Sequence, residues 1–263
     1  MRTDISLMKA FYESALGQAA ARQIARRVET LWPNLKGETV MGFGYTPPIL
    51  EPILIKAGAG RVMSLMPAEQ GGWAWPKGKK RLNAVTNETN LPLPDRSIDR
   101  IILMHALEDT SAESVLLRET WRVLADSGRL IVIAANRRGL WCRTDNSPFG
   151  HGRPYSLKQL IKTVEQSLFN VEHSVYALYQ PPSNKALPLW SSDTLEKFGH
   201  RWLEGFSGVI IVDATKSIYG LAPRNKALAS ASGKRGIILI SDNRHHNSAP
   251  ASTDPCNLPP NRS

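Results

Sequence analysis

Cysteine is almost missing from this chain: Cys142 and Cys256 are the only two in 263 residues. They lie far apart, and the second stands in a polar, Pro-rich stretch, so neither a disulfide framework nor a metal site is indicated. A reducing, cytoplasmic location is expected. Long apolar runs are also missing, since none approaches the roughly 20 residues needed to cross a bilayer. The first residues, Met1-Arg-Thr-Asp-Ile-Ser, carry no apolar segment of the kind that directs secretion. A soluble protein with no membrane partner is expected. Acidic residues are in short supply, with 23 Asp and Glu against 33 Lys and Arg and a formal charge of +10. Such an excess is compatible with nucleic acid as a partner. Much of it, however, is scattered over helices or gathered after residue 221, where Arg224, Lys226, Lys234, Arg235, Arg244 and Arg262 face only Asp242 and Asp254. No basic motif interleaved with aromatics accompanies it, so a solvated basic surface is the plainer reading.

What is present is clearest in residues 90–108. Pro92 and Pro94 keep the chain extended, Asp95 to Asp99 make a turn, and Ile98, Ile101, Ile102 and Leu103 form a short apolar run bounded by charge. A run of this kind is a strand buried on both faces. Residues 113–124 then repeat apolar side chains at helical spacing, with Arg118, Glu119 and Arg122 outside, and Gly128 is expected to end that helix. Residues 129–135 are again continuously apolar. Strand, helix and strand in this order form a parallel, right-handed unit, and the fold class is α/β.

The rest of the chain extends the pattern. Residues 7–32 place Phe11, Ala15, Leu16, Ala19, Ile24, Val28 and Leu31 at helical intervals and predict one helix lying over the sheet. A first strand is expected at 39–44, then a helix at 49–57 with Thr46 as N-cap and proline in its first turn. Strands follow at 61–66 and 80–86, with 67–78 forming a short or distorted helix because of its glycines, tryptophans and Pro76. The Gly-, Asn-, Pro- and Arg-rich loop 137–154 has the composition of a lid. A helix at 156–168, a strand at 171–179, a helix at 190–206 and a strand at 208–214 complete the series. Disorder is expected beyond about residue 221, apart from a short apolar stretch at 237–240.

Read in order, Leu91-Pro-Leu-Pro-Asp95, Ser97-Ile-Asp99, His105-Ala-Leu-Glu108, Leu117-Arg-Glu119, Trp121-Arg-Val-Leu124 and Ser127-Gly-Arg-Leu130 resemble the central block of class I S-adenosylmethionine-dependent methyltransferases, of the type 11 kind. The resemblance covers residues 38–140 and rests on several elements in the right order, not on one glycine motif. It implies a doubly wound, Rossmann-like sheet of seven strands, mostly parallel with an antiparallel last strand, and helices on both faces. The expected divisions are an N-terminal helix over residues 1–36, a methyltransferase-like domain over 37–221 and a basic, disordered tail over 222–263. S-adenosylmethionine is the implied cofactor, and a small molecule the implied acceptor.

By the same resemblance, the donor would lie across the carboxyl ends of strands one to four. Gly42, Gly44 and Tyr45 occupy the glycine turn, with the following helix offering amides to the donor's carboxylate. Met66 stands where the family carries a ribose-binding acid, with Glu69 three residues on. Asn87, next to Glu88, stands at the adenine position, or serves as a plain turn residue. His105 and Leu107 follow strand four against the donor and acceptor, and His105 is the candidate general base. Tyr45, Trp73, Trp75, Trp141 and Phe149 could face a cation or substrate through their rings, or simply pack. Val40 replaces the family's acid and the third glycine is absent, so the alternative is a non-catalytic, regulatory or interaction protein on the same fold. A nucleotide-dependent oxidoreductase would also use Gly-x-Gly, but it needs an acid or Arg after the second strand and leaves the Leu-Pro-Leu-Pro-Asp block unexplained.

Overall fold

The computed structural model describes residues 3–56, 58–78, 80–145, 147–182 and 206–218. Seven strands form one sheet: β1 (Thr39–Gly44), β2 (Arg61–Pro67), β3 (Asn83–Thr86), β4 (Ile98–Met104), β5 (Leu124–Ala135), β6 (Phe169–Ala177) and β7 (Val209–Lys216). Their spatial order is β3-β2-β1-β4-β5-β7-β6. The pairs from β3 to β5 are parallel, and β7 runs antiparallel to both β5 and β6. Order reverses between β1 and β4, which creates the crevice at the carboxyl ends of the strands where α/β sheets bind ligands. The expected doubly wound architecture is therefore present.

Strand alternation divides the core into two layers. Val40, Val62, Ile102, Ile131 and Ile211 face α1 (Ile5–Glu13), α2 (Ala15–Leu31) and α3 (Pro47–Lys56). Met41, Phe43, Leu65, Ile101, Leu130 and Val212 face the other way, toward α4 (Glu113–Val123) and α5 (Leu157–Gln166). Both faces of the central strands are thus apolar, which is why these segments read as continuous hydrophobic runs.

The block from Leu91 to Arg122 is held by one set of hydrogen bonds. Arg122 donates to the carbonyls of Leu91 and Leu93, at 2.9 and 3.0 Å, and to the carboxylates of Asp95 and Glu119. Glu119 in turn accepts the Leu91 amide at 2.9 Å. The loop before β4 and the helix after it are one hydrogen-bonded unit.

Several local expectations are corrected. The predicted helix 7–32 is two helices, because Ser14 is extended (φ −71°, ψ 158°), caps α1 through its amide and caps α2 by accepting from the Gly17 amide. Gly128 ends no helix: Leu124 turns directly into β5, and Gly128 lies within that strand. The third strand starts at Asn83, not at 80. Among the described residues, 67–78 contain turns but no helix. The strand and helix pair at the chain's later part appears as α5, with a full capping box at Ser156 and Gln159, and β6. The last strand runs from Val209 to Lys216. The helix expected at 190–206 and the tail after 221 lie outside the described residues, Phe206 excepted.

Candidate functional site

The carboxyl ends of β1 and β4 are tied together. Gly44 pairs with Met104 across the strands, and the Tyr45 amide donates to the Met104 carbonyl at 2.9 Å. Gly44 has φ +91°, and a Cβ there would collide with that same carbonyl, so only glycine fits. A Cβ on Gly42 would strike the Thr46 side chain and Leu50. Thr46 starts α3 through its carbonyl, which accepts from Ile49 and Leu50, while its hydroxyl faces Ser64 Oγ at 3.2 Å. The expected amide donors at this helix start are not there. Pro47 and Pro48 have no N–H, and the next two amides are already bonded.

Over this turn lies a layer of aromatic rings. Tyr12, from α1, stacks on Tyr45 with centroids 5.1 Å apart and planes 13° from parallel, and Trp73 leans on Tyr45 at 5.0 Å. Tyr12 Oη and His105 Nε2 are 2.8 Å apart, and the His105 ring also meets Phe149 at 4.7 Å. Phe149 packs edge-on against Trp141. The two short 3₁₀ turns of the 137–154 loop, at Trp141–Arg143 and Pro148–Gly150, therefore bury their aromatics in the core beside α1.

Among the expected site residues, Gly42, Gly44, Tyr45 and His105 come together at the ends of β1 and β4, whereas Leu107 packs in the core layer facing α4 and α5, and all five are buried. His105 is left-handed (φ 52°), and burial drives its pKa down to about 3. A neutral imidazole bonded to Tyr12 is a poor proton acceptor at neutral pH. Met66 is fully buried, with its sulfur facing the Asn83 amide at 3.8 Å. Asn83 fixes the 73–75 segment above it by donating to the Trp73 carbonyl and accepting from the Trp75 amide. Asn87 is exposed, and its amide oxygen accepts from the Thr89 amide and hydroxyl, which is turn chemistry. Glu88 accepts from the Thr110 hydroxyl at 2.6 Å. Val40 is buried in β1 and Glu69 is exposed in the turn after β2.

Sequence reasoning missed three residues. Tyr12 stood outside the apolar positions read for the covering helix. Glu108 was part of the motif only, yet its carboxyl is buried, with Oε1 accepting from the Ala135 amide at 3.0 Å and Oε2 bonded to nothing. Burial raises its pKa to about 7, partly opposed by backbone amides of Glu108 itself and Ala135. Gln70, beside the noticed Glu69, is buried with both polar atoms unbonded. Burial is a tertiary fact, and no local pattern distinguishes these residues from surface polar ones.

Residues 54–132 match the family model described as methyltransferase domain. No curated protein matches the sequence. Among solved structures, a chain of the complex between the Haloferax volcanii Trm112 methyltransferase activator and a methyltransferase superposes with a TM-score of 0.59 at 15% identity, covering 81% of this chain and 99% of that one. This chain has the class I methyltransferase fold. An S-adenosylmethionine-dependent methyltransferase of Thermotoga maritima shares it at a TM-score of 0.56 and 18% identity, over 81% and 96% of the two chains. So does the [4+2]-cyclase SpnF, at 0.54 and 16%, over 79% and 84%. The fold thus also hosts other chemistry, and the class I methyltransferase fold alone does not fix a reaction. No helix of the described residues is long and apolar enough to cross a membrane.

Proposed function

We propose that this protein is a cytoplasmic S-adenosylmethionine-dependent methyltransferase acting on a small molecule. The observation that carries it is the covered carboxyl edge of β1 and β4. There the Gly42–Gly44 turn, Tyr45 and His105 converge beneath α1, within a chain whose residues 54–132 match a methyltransferase domain. Buried polar atoms without partners, Glu108 Oε2 after β4 and the Gln70 side-chain amide after β2, are consistent with a polar ligand. Gly44, Tyr45, His105 and Leu107 would hold the donor, which supplies an electrophilic methyl group when bound.

The chain's own contribution is enclosure and proton control. Tyr12, Trp141 and Phe149 close the edge against water, and positioning of the reactants in such a space supplies most of the rate of an in-line transfer. That enclosure favours a small acceptor over RNA, despite the chain's positive charge. Glu108, with a pKa of about 7 and one free oxygen, is better matched than His105 to hold a proton released by the acceptor.

Calorimetric titration with S-adenosylmethionine and S-adenosylhomocysteine tests the reading. Micromolar binding is expected, followed by S-adenosylhomocysteine release in a screen of amine and hydroxyl acceptors. A folded protein that binds neither up to millimolar concentration overturns it.

A further inference from the structure

Glu108 stands just past β4, and its carboxyl reaches across to the end of β5, where Oε1 accepts the Ala135 amide at 3.0 Å. The 137–154 loop lies directly on its backbone: the Arg153 amide donates to the Glu108 carbonyl at 2.8 Å, and a Cβ on Gly152 would come within 2.7 Å of that carbonyl oxygen. Two phenols flank the carboxyl, for burial first, and then charges that include that of Glu108, raise the pKa of both Tyr12 and Tyr155. The residue is 5% exposed, and Oε2 has no partner.

Two acids among the described residues have a buried oxygen with nothing bonded, Glu38 and Glu108. Glu38 is matched by a cation, since its other oxygen accepts from Arg100 at 2.7 Å. Glu108 is held by backbone amides, and no Lys, Arg or His among the described residues bonds its carboxyl. Asp109 adds further negative charge beside it. A buried carboxylate without a counter-charge is costly. Its presence at the end of the sheet where α/β proteins bind ligands points to a partner that arrives from outside.

The chemistry of that partner can be narrowed. A hydroxyl could donate to Oε2 but would leave the charge unmatched, and a carboxylate or phosphate would be repelled. An ammonium group supplies both the donor and the charge. The Tyr12 ring, which continues through His105 to Phe149, adds aromatic surface of the kind that attracts a cation. We infer that the methyl acceptor is a small amine whose nitrogen pairs with Glu108 Oε2, an assignment that rests on the proposed methyltransferase function. The ammonium form meets the carboxylate and passes one proton to Oε2, which leaves a neutral amine beside a neutral acid. The freed lone pair then forms the N–C bond as the donor's S–C bond breaks and the electron pair of that bond stays on sulfur. Positive charge moves from sulfur to nitrogen, and Glu108 gives its proton to water as the methylated ammonium leaves.

The test supplies the wild-type protein with S-adenosylmethionine and three matched sets of acceptors, and follows S-adenosylhomocysteine release. The sets are alkyl and arylalkyl amines, the corresponding alcohols and the corresponding carboxylic acids. Amines are expected to react and the other two sets to stay inert. Glu108→Gln, whose amide oxygen can still accept from Ala135, is expected to lower kcat/KM for the best amine about ten- to a hundred-fold. Its affinity for S-adenosylhomocysteine in calorimetry should match that of the wild type. Turnover of alcohols or acids in place of amines overturns the assignment while leaving the methyltransferase reading intact, and so does amine turnover undiminished in Glu108→Gln. A wild type that binds S-adenosylhomocysteine yet methylates none of the amines also overturns it. Absence of both donor binding and turnover takes down both.

Discussion

Tyr12 and His105 are joined by a 2.8 Å hydrogen bond that spans 93 residues of sequence and fastens α1 to the end of β4. His105 is buried, so its Nε2 has no water to turn to when the phenol is lost. Tyr12→Phe should cost about 1–2 kcal/mol. The check is a urea midpoint lowered at unchanged denaturant slope.

Glu108 and His105 should give the protein opposing pH dependences. Glu108 keeps its proton up to about 7 in the fold, against 4.5 when unfolded, so its buried form loses stability as pH rises from 4.5 to 7. His105 is protonated only below about 3 in the fold, against 6.5 unfolded, so stability falls as pH drops from 6.5 toward 3. Between 4.5 and 6.5 the two slopes offset. Glu108→Gln should abolish the loss on the alkaline side and leave the acid side, a change of at most about 3 kcal/mol. His105→Asn, which tolerates the left-handed backbone, should do the reverse. Chemical denaturation of both variants from pH 4 to 8 reads the two tilts directly.

Arg122 holds four groups of the loop before β4 and of its own helix. Arg122→Ala leaves the Leu91 and Leu93 carbonyls and the Glu119 carboxylate without this donor. A loss of about 2–4 kcal/mol is expected. Glu119→Gln should lose less, since an amide oxygen can still accept from Leu91. Thermal melts of the two variants rank them.

Gly17 lets α2 start directly under the end of α1, where an added Cβ would collide with the Phe11 carbonyl and lie 2.7 Å from Tyr12 Cα. Gly17→Ala should push α1 away from the sheet edge. Hydrogen exchange should then speed up in residues 5–13 while β1, β4 and β5 stay protected.

The sheet was legible because its strands are buried on both faces and its signature block is local: Leu91 to Asp95 and Glu119 to Arg122 bond one another within about 30 residues. The break at Ser14 was also within reach, since serine is a favoured N-cap residue, but the apolar periodicity runs across it. Gly128 misled because a glycine after a helix looks like a stop, whereas β5 had already begun at Leu124. The prolines after Thr46 were read for helix initiation and not for the donors they remove. Tyr12, Gln70 and Glu108 act across distances of sequence that no window covers.

One consequence of the strand order concerns synthesis. β7 is the last described strand in the chain yet lies inside the sheet, between β5 and β6. Until residue 216 has left the ribosome, β5 therefore presents an open edge and β6 has no neighbour to pair with. The nascent chain must carry β1 to β5 as an unfinished sheet for some 80 residues of translation, with an unpaired strand of alternating apolar faces exposed to other chains. Completion of the fold is tied to that single late insertion.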